Sequence, residues 1–385
     1  MPTTRAAENK ATAKGGDEKS EGKGVGSKHD IQDKTSPNSK RPKKDDDKTQ
    51  KTIEDAIPSP TEAYGNGYAT SEAKEKPDPR REEQKKARSQ DQKTGTTEEQ
   101  GARKGEVPSS ILEKGIIYFF FRGRVEIDEP SNVDEIQRSY MVLRPLNKDA
   151  KLGEGTIQDA NNLRLVAVPK KVFPRSGRDR WIAFVEKSDV SLKTLKDEFL
   201  SSSEYETKTA GTRHTPAAQP AAEGIYAITT TGRESHLAYM ITMPSELGEV
   251  QTELGLREKG SFIISTRNPE YDAPRGTVLP KGPNYPKDIQ DEFRNRRWVP
   301  SQPHHLDHVN TQFLLIGESS GIAKATEPQK RDKEEGKGNP REELEKLQDE
   351  DTHRMEILRD DDSAAIFADL GVLATGYPKL ETTFR

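Results

Sequence analysis

The chain has 385 residues, 33% charged and 30% hydrophobic, with a formal net charge of −4. A chain this polar is not globular throughout. It has no cysteine, which excludes disulfides, thiolate metal sites and cysteine nucleophiles.

Residues 1–106 hold 23 basic and 21 acidic side chains but no Leu, Phe or Trp. So little apolar surface cannot offset an ordering entropy of about 1–2 kcal/mol per residue, and a disordered charged tail is expected. Within it "SKRPKKDDDK" sets Lys40, Arg41, Lys43 and Lys44 around Pro42. A short exposed basic cluster of this kind is read by nuclear import receptors; a solvated charge run is the alternative. No signal-peptide stretch opens the chain. The longest apolar run, Ile116 to Phe121, is far short of the ~20 residues that span a bilayer. The expectation is a soluble intracellular protein without membrane contact, nuclear, with the cytoplasm as the alternative.

Residues 107–320 carry most of the large apolar side chains and form the expected folded core. Strands are predicted at 114–125, 138–145, 163–168, 181–186, 224–229, 236–243, 261–266 and 312–317, where Ile, Val, Phe and Tyr runs end at Gly, Pro or Asn turns. Helices are predicted at 191–200, with Ser191 as cap, at 246–254 and at 286–293. Strands outnumber helices without a regular βαβ alternation. The fold class is therefore α+β, a single largely antiparallel-sheet core with a few helices, flanked by long disordered tails.

The stretch "EKGIIYFFFRGRVE" at 113–126 stands out in a chain that is 6% aromatic. Alternate residues of a strand face opposite sides. Ile117, Phe119, Phe121 and Val125 then form one apolar face, and Ile116, Tyr118 and Phe120 the other. Such a strand is covered on both sides, with Arg122 and Arg124 emerging at a rim. An RNA-stacking sheet would instead alternate its aromatics with small residues.

The segment 321–385 is expected to be charged and partly helical from about Pro340. Leu344, Leu347, Met355 and Leu358 form a thin stripe there, and a hydrophobic motif at Ile366, Phe367 and Leu370 follows "DDD". An acidic-flanked cluster of this type docks on its own core or serves a partner as a helix-in-groove ligand.

"LEKGIIYFFFRGRV", "SYMVLRPL", "SGRDRWIAFVEK", "YETKTAGTRHTPAAQPAAEGIYAI", "HLAYMITMPSELGEVQTELGL" and "TQFLLIGE" together resemble a family found in fungi, with similar bacterial and archaeal proteins. Fungal members often carry the label "BTB domain transcription factor", although no BTB signature is visible here. The resemblance covers about 112–318 and implies a nuclear regulatory role, with no established activity to transfer.

Four constellations bear on chemistry. "GESSG" at 317–321 fits a nucleophile-elbow pattern at Ser319, but a polar, proline-broken stretch follows where a helix is required, and no catalytic residue is assigned. "PHHLDH" gathers His304, His305, Asp307 and His308, with His304 and His308 at helical spacing for zinc. A surface turn is the preferred reading there, so no metal is assigned. "KKVFPRSGRDR", with Lys170, Lys171, Arg175, Arg178 and Arg180, and with Arg122 and Arg124 nearby in the pattern, offers an anion or nucleic-acid surface around amides near Gly177. "GTRHT" and "GRESH" supply Arg213, His214, Arg233 and His236, which form an anion or acid/base pocket if their strands are neighbours. No cofactor is assigned.

The leading expectation is a non-enzymatic nuclear interaction protein, transcription-associated, with protein partners. A small anionic-ligand site built on the Arg/His residues is second. Nucleic-acid binding through the basic loops is third, because the core has 28 basic against 29 acidic side chains and lacks a broad positive footprint.

Overall fold

The computed structural model describes residues 101–207, 211–273, 279–360 and 380–384. The basic cluster Lys40, Arg41, Lys43 and Lys44 lies outside the described residues, as does the motif Ile366, Phe367 and Leu370.

The strands among the described residues are β1 (Ile111–Gly123), β2 (Ile136–Leu146), β3 (Leu163–Val168), β4 (Arg180–Val190), β5 (Ser203–Thr207), β6 (Gly211–Thr215), β7 (Gln219–Thr230), β8 (Ser235–Met243), β9 (Lys259–Arg267), β10 (Trp298–Pro300) and β11 (Gln312–Gly317). The helices are α1 (Leu192–Leu195), which runs on as one π turn over Lys196–Leu200, then α2 (Glu249–Leu254), α3 (Lys287–Glu292), α4 (Lys330–Glu334) and α5 (Pro340–Asp360).

Every strand pairing is antiparallel. The order β9-β11-β4-β3-β2-β1-β7-β8 closes on itself through a β8–β9 pairing, giving an eight-stranded barrel. The short β10 continues the β8 edge of β9 through Ser265–Arg267, and β5–β6 form a separate ribbon. The largely antiparallel core expected from the sequence is present, but its sheet closes into a barrel. Closure removes the unpaired edges that an open sheet would leave. Alternation within a strand tells which residues share a face, not which distant strand completes the ring.

The aromatic run explains how the barrel packs. Ile117, Phe119 and Phe121 point inward, where they meet Met141, Val166, Val185, Tyr226, Tyr239, Phe262, Phe313 and Leu315 from the other seven strands. Phe119 packs edge-on against Phe173 at 5.2 Å and Tyr239 at 5.1 Å between centroids. Ile116, Tyr118 and Phe120 point outward into a second cluster with Val142, Leu165, Leu195, Phe199, Ile225, Met240 and Ile322. Phe120 meets Phe199 of the π turn edge-on at 5.7 Å. Gly115 is required by close approach: a Cβ there would lie 2.1 Å from the Arg144 carbonyl oxygen and 2.7 Å from the Tyr226 ring.

The stretch from Gly321 onward, counted with the tail in the sequence, joins this outer cluster. Leu344 and Leu347 of α5 are buried in it, Met355 of the same helix is also buried, and polar contacts add to these. Glu343 accepts from Lys114 Nζ at 2.9 Å and from Arg103 Nη1 at 2.5 Å. Asp351 accepts from the Thr242 hydroxyl at 2.7 Å, and Gln348 donates to the Ile241 carbonyl at 3.1 Å. The apolar stripe of this helix is thin in sequence, and buried polar and charged contacts such as Glu343 with Lys114 help to hold it. Residues 380–384 also lie on the barrel: Gln251 donates to the Glu381 carbonyl at 2.6 Å, Glu381 N–H donates to the Pro220 carbonyl at 3.0 Å, and Phe384 packs on the inner cluster.

Phe119→Ala and Phe120→Ala, one on each face, are each expected to destabilise the protein by about 3–5 kcal/mol in urea melts. Glu343→Gln, which takes the carboxylate partner from buried Lys114 while Arg103 keeps Glu350, is expected to lower stability by about 3–5 kcal/mol in the same measurement.

Candidate functional site

The Arg/His pocket is not assembled. His214, on the β5–β6 ribbon, bonds through Nε2 to Asp128 at 2.8 Å, and the Asp128 carbonyl accepts from Gln219 at the start of β7. His236 on β8 pairs with Thr229 at the far end of β7. The two are thus separated by about 30 Å along a strand rising ~3.3 Å per residue. Arg213 stays beside His214 on the ribbon, half-buried, and Arg233 is exposed in the β7–β8 turn. What His236 meets is Glu318: its Nδ1 lies 2.8 Å from Oε2, which also accepts from the Ser261 hydroxyl at 2.6 Å. Burial pushes the Glu318 carboxyl up, but the hydrogen bonds from His236 and Ser261 outweigh it and hold the group below the ordinary carboxylate range.

The basic loop has also found internal partners. The amides considered for an anion are taken by Asp179, whose Oδ2 accepts from Arg175 N–H at 3.2 Å and from Ser176 N–H at 3.1 Å. Arg175 donates to the Thr252 and Glu253 carbonyls at 2.5 and 2.9 Å, closing the C-terminal end of α2. Lys171 reaches the Asp134 carbonyl at 2.6 Å, and Lys170 lies over the Trp181 ring at 5.6 Å. Arg122 is half-buried over the Phe199 ring at 5.3 Å and donates to the Phe199 carbonyl. Arg124, Arg178 and Arg180 remain exposed. Ser319 follows β11 in a turn, and its carbonyl accepts from Arg257 at 2.9 Å.

One mouth of the barrel gathers the densest polar chemistry. Arg164 of β3 forks onto Glu113 of β1, Nη1 to Oε1 at 2.6 Å and Nη2 to Oε2 at 2.9 Å. The Tyr226 hydroxyl donates to the same carboxylate at 2.7 Å. Burial and the neighbouring Glu113 charge hold that hydroxyl well above its ordinary pKa, so it remains a donor. Arg164 Nε also reaches Asp307 at 2.7 Å, fixing the short 3₁₀ turn Pro303–Asp307 across the opening. Leu306 of that turn is buried in the barrel interior.

The histidines of "PHHLDH" ride on this turn, and their geometry departs from the i, i+4 pairing read in the sequence. His308 packs edge-on against Tyr285 at 5.2 Å and Asp307 is held by Arg164. The pair brought together is the adjacent His304 and His305, with Glu292 of α3 between them. His304 Nε2 lies 3.0 and 3.1 Å from the two Glu292 oxygens, and His305 Nε2 lies 3.0 Å from Oε2. His305 is 1% exposed, its ring stacked on Phe293 at 5.7 Å and 18°. Its Nδ1 accepts from Gln302 N–H at 3.1 Å and lies 3.1 Å from Thr266 Oγ1. Burial pushes the His305 imidazole down to about 4 against the opposing pull of Glu292, so at neutral pH its ring is uncharged. The Glu292 carboxyl is raised by burial, yet falls below its ordinary range because both imidazoles hydrogen-bond to it. Glu292 escaped the sequence reading because it lies twelve positions before His304, on a different element, and no spacing rule joins them.

The Glu318 contact carries a pH prediction. A carboxyl depressed in the folded state contributes stability above its unfolded value of about 4.3, and that contribution is lost as pH falls through the folded pKa. Glu318→Gln is expected to cost about 1–3 kcal/mol at pH 7 in urea melts. Its difference from wild type should narrow as the pH falls below about 4.

Compared with known protein families, with curated proteins and with solved structures, this chain finds no match.

Proposed function

We propose that this is a non-enzymatic nuclear interaction protein, transcription-associated, whose barrel presents outer surfaces to protein partners and whose N-terminal segment directs import. One observation carries the reading. The barrel interior is filled by side chains of all eight strands, Phe119, Phe121, Tyr226, Tyr239 and Phe262 among them, each no more than 2% exposed. Eight-stranded barrels either fill their interior with side chains or hold one small ligand there, and this one is of the filled kind. One mouth is spanned by the Arg164–Asp307 turn. Toward the other lie Val250 and Leu254 of α2. A protein built this way acts through its surface, and the basic cluster at Lys40–Lys44 and the motif at Ile366–Leu370 supply the addresses. No helix among the described residues is long and apolar enough to cross a membrane.

The separation of His214 from His236 removes the main support for a small-anion site built on those residues. Nucleic-acid binding keeps the exposed Arg124, Lys170, Arg175, Arg178 and Arg180, and it predicts affinity that falls steeply with salt.

A reporter fused to residues 1–106 is expected to accumulate in the nucleus of a eukaryotic cell, and Lys43→Ala/Lys44→Ala is expected to return it to the cytoplasm. A fusion that stays cytoplasmic, or is nuclear regardless of the substitution, would remove the nuclear part of the reading. Oligonucleotide binding by the full chain that weakens with salt and is lost on Arg178→Ala/Arg180→Ala would replace the protein-partner part.

A further inference from the structure

We propose that Glu292, His304 and His305 form a binding site for a divalent transition-metal ion with imidazole preference, zinc being the first candidate. Among the described residues this is the one group of three or more His, Cys, Asp or Glu side chains placed to share an ion, with all ligand atoms within 4.8 Å of one another. Zinc binds imidazole nitrogen and carboxylate oxygen at about 2.0–2.2 Å, which sets tetrahedral ligand atoms about 3.3 Å apart. The separations of 3.0 and 3.1 Å between Glu292 and the two Nε2 atoms lie within a few tenths of an ångström of that. Two imidazoles and a carboxylate leave a fourth position for water.

The site is rigid on one side and open on the other. His305 is clamped by Phe293 and buried, whereas the side chains of His304 and Glu292 are 45% and 43% exposed. An ion can therefore enter from solvent and close onto a fixed ligand. Loading moves the His305 ring proton from Nε2 to Nδ1, which gives up the Gln302 N–H it accepts at 3.1 Å and donates instead to Thr266 Oγ1, also 3.1 Å away. Thr266 in turn donates to Ser301 Oγ at 2.8 Å. A metal-bound imidazole usually donates its second ring N–H to an acceptor, and on loading Thr266 takes that part as the positioning residue. The Irving–Williams order places copper and nickel beside zinc for such ligands, and magnesium or calcium far below. The site ties α3 to the turn that spans the barrel mouth.

The test uses the full chain without an affinity tag, stripped of metal by chelator and dialysis. Zinc is titrated by calorimetry, and cobalt is followed by its visible absorption. One zinc per chain is expected, with cobalt giving the intense bands of a four-coordinate site and magnesium giving no heat. His304→Ala and Glu292→Gln, both at exposed side chains, should weaken zinc binding by about tenfold or more in metal-free protein that circular dichroism shows to be folded. Thr266→Val should weaken it by about 10–100-fold. His214→Ala, at the separate contact with Asp128, should leave it unchanged. Absence of zinc uptake would overturn the proposal. So would uptake that survives both His304→Ala and Glu292→Gln in folded protein, because the ion would then be held elsewhere.

Discussion

Six apolar residues in succession, Ile116 to Phe121, cannot form a strand with one wet face, and the molecule is arranged around that constraint. Three side chains must be buried on each side. Inward, the barrel closes on Ile117, Phe119 and Phe121 and fills its own interior. Outward, Ile116, Tyr118 and Phe120 require a second cover, supplied by the π turn after α1, by Ile322 and Ala325, and by α5. At about 1.5–3 kcal/mol for each large apolar side chain buried, either face left open would forfeit several kcal/mol, comparable with a typical domain's whole net stability.

The two covers are joined by charge. Lys114 precedes the run on β1 and is 1% exposed; burial lowers its pKa, and its partner Glu343 belongs to α5. Glu113, one residue earlier, is taken by Arg164 and Tyr226 at the mouth. Neighbouring residues at the start of β1 thus anchor two different layers. Breaking either pair would strand a buried charge, which is far more damaging than the intact pair is stabilising. The same mouth network sets the Pro303–Asp307 turn through Asp307, and so places His304 and His305 opposite Glu292.

Much of this could be read along the chain. Each of the eight barrel strands was legible as a run of Ile, Val, Phe and Tyr between turn residues, and the two-sided burial of β1 followed from its alternation alone. Local patterns carried these because they depend on neighbours in sequence. Closure was not legible: the β8–β9 pairing and the insertion of β11 between β9 and β4 join strands by surfaces that look alike from sequence. The β5–β6 ribbon went unseen because "SEYET" and "GTRHT" are polar and exposed. For the candidate sites, the histidines could be found but their partners could not. His236 meets Glu318 rather than His214, and the amides near Gly177 are capped by Asp179 from within the same loop. His304 and His305 find Glu292 across a twelve-residue gap. Each of these depends on tertiary proximity, which spacing does not encode.

The central claim is that β1 is buried between two cores and that α5 is an integral wall of the outer one. Hydrogen exchange on the full chain, followed amide by amide, tests it most directly. The account predicts the slowest exchange at Ile116–Phe121 and its partners in β2 and β7. It also predicts that α5 amides from Leu344 to Asp351 open only together with β1. Fast, independent exchange across α5 while β1 stays protected would contradict it, because the outward aromatic face would then be covered by something other than this helix.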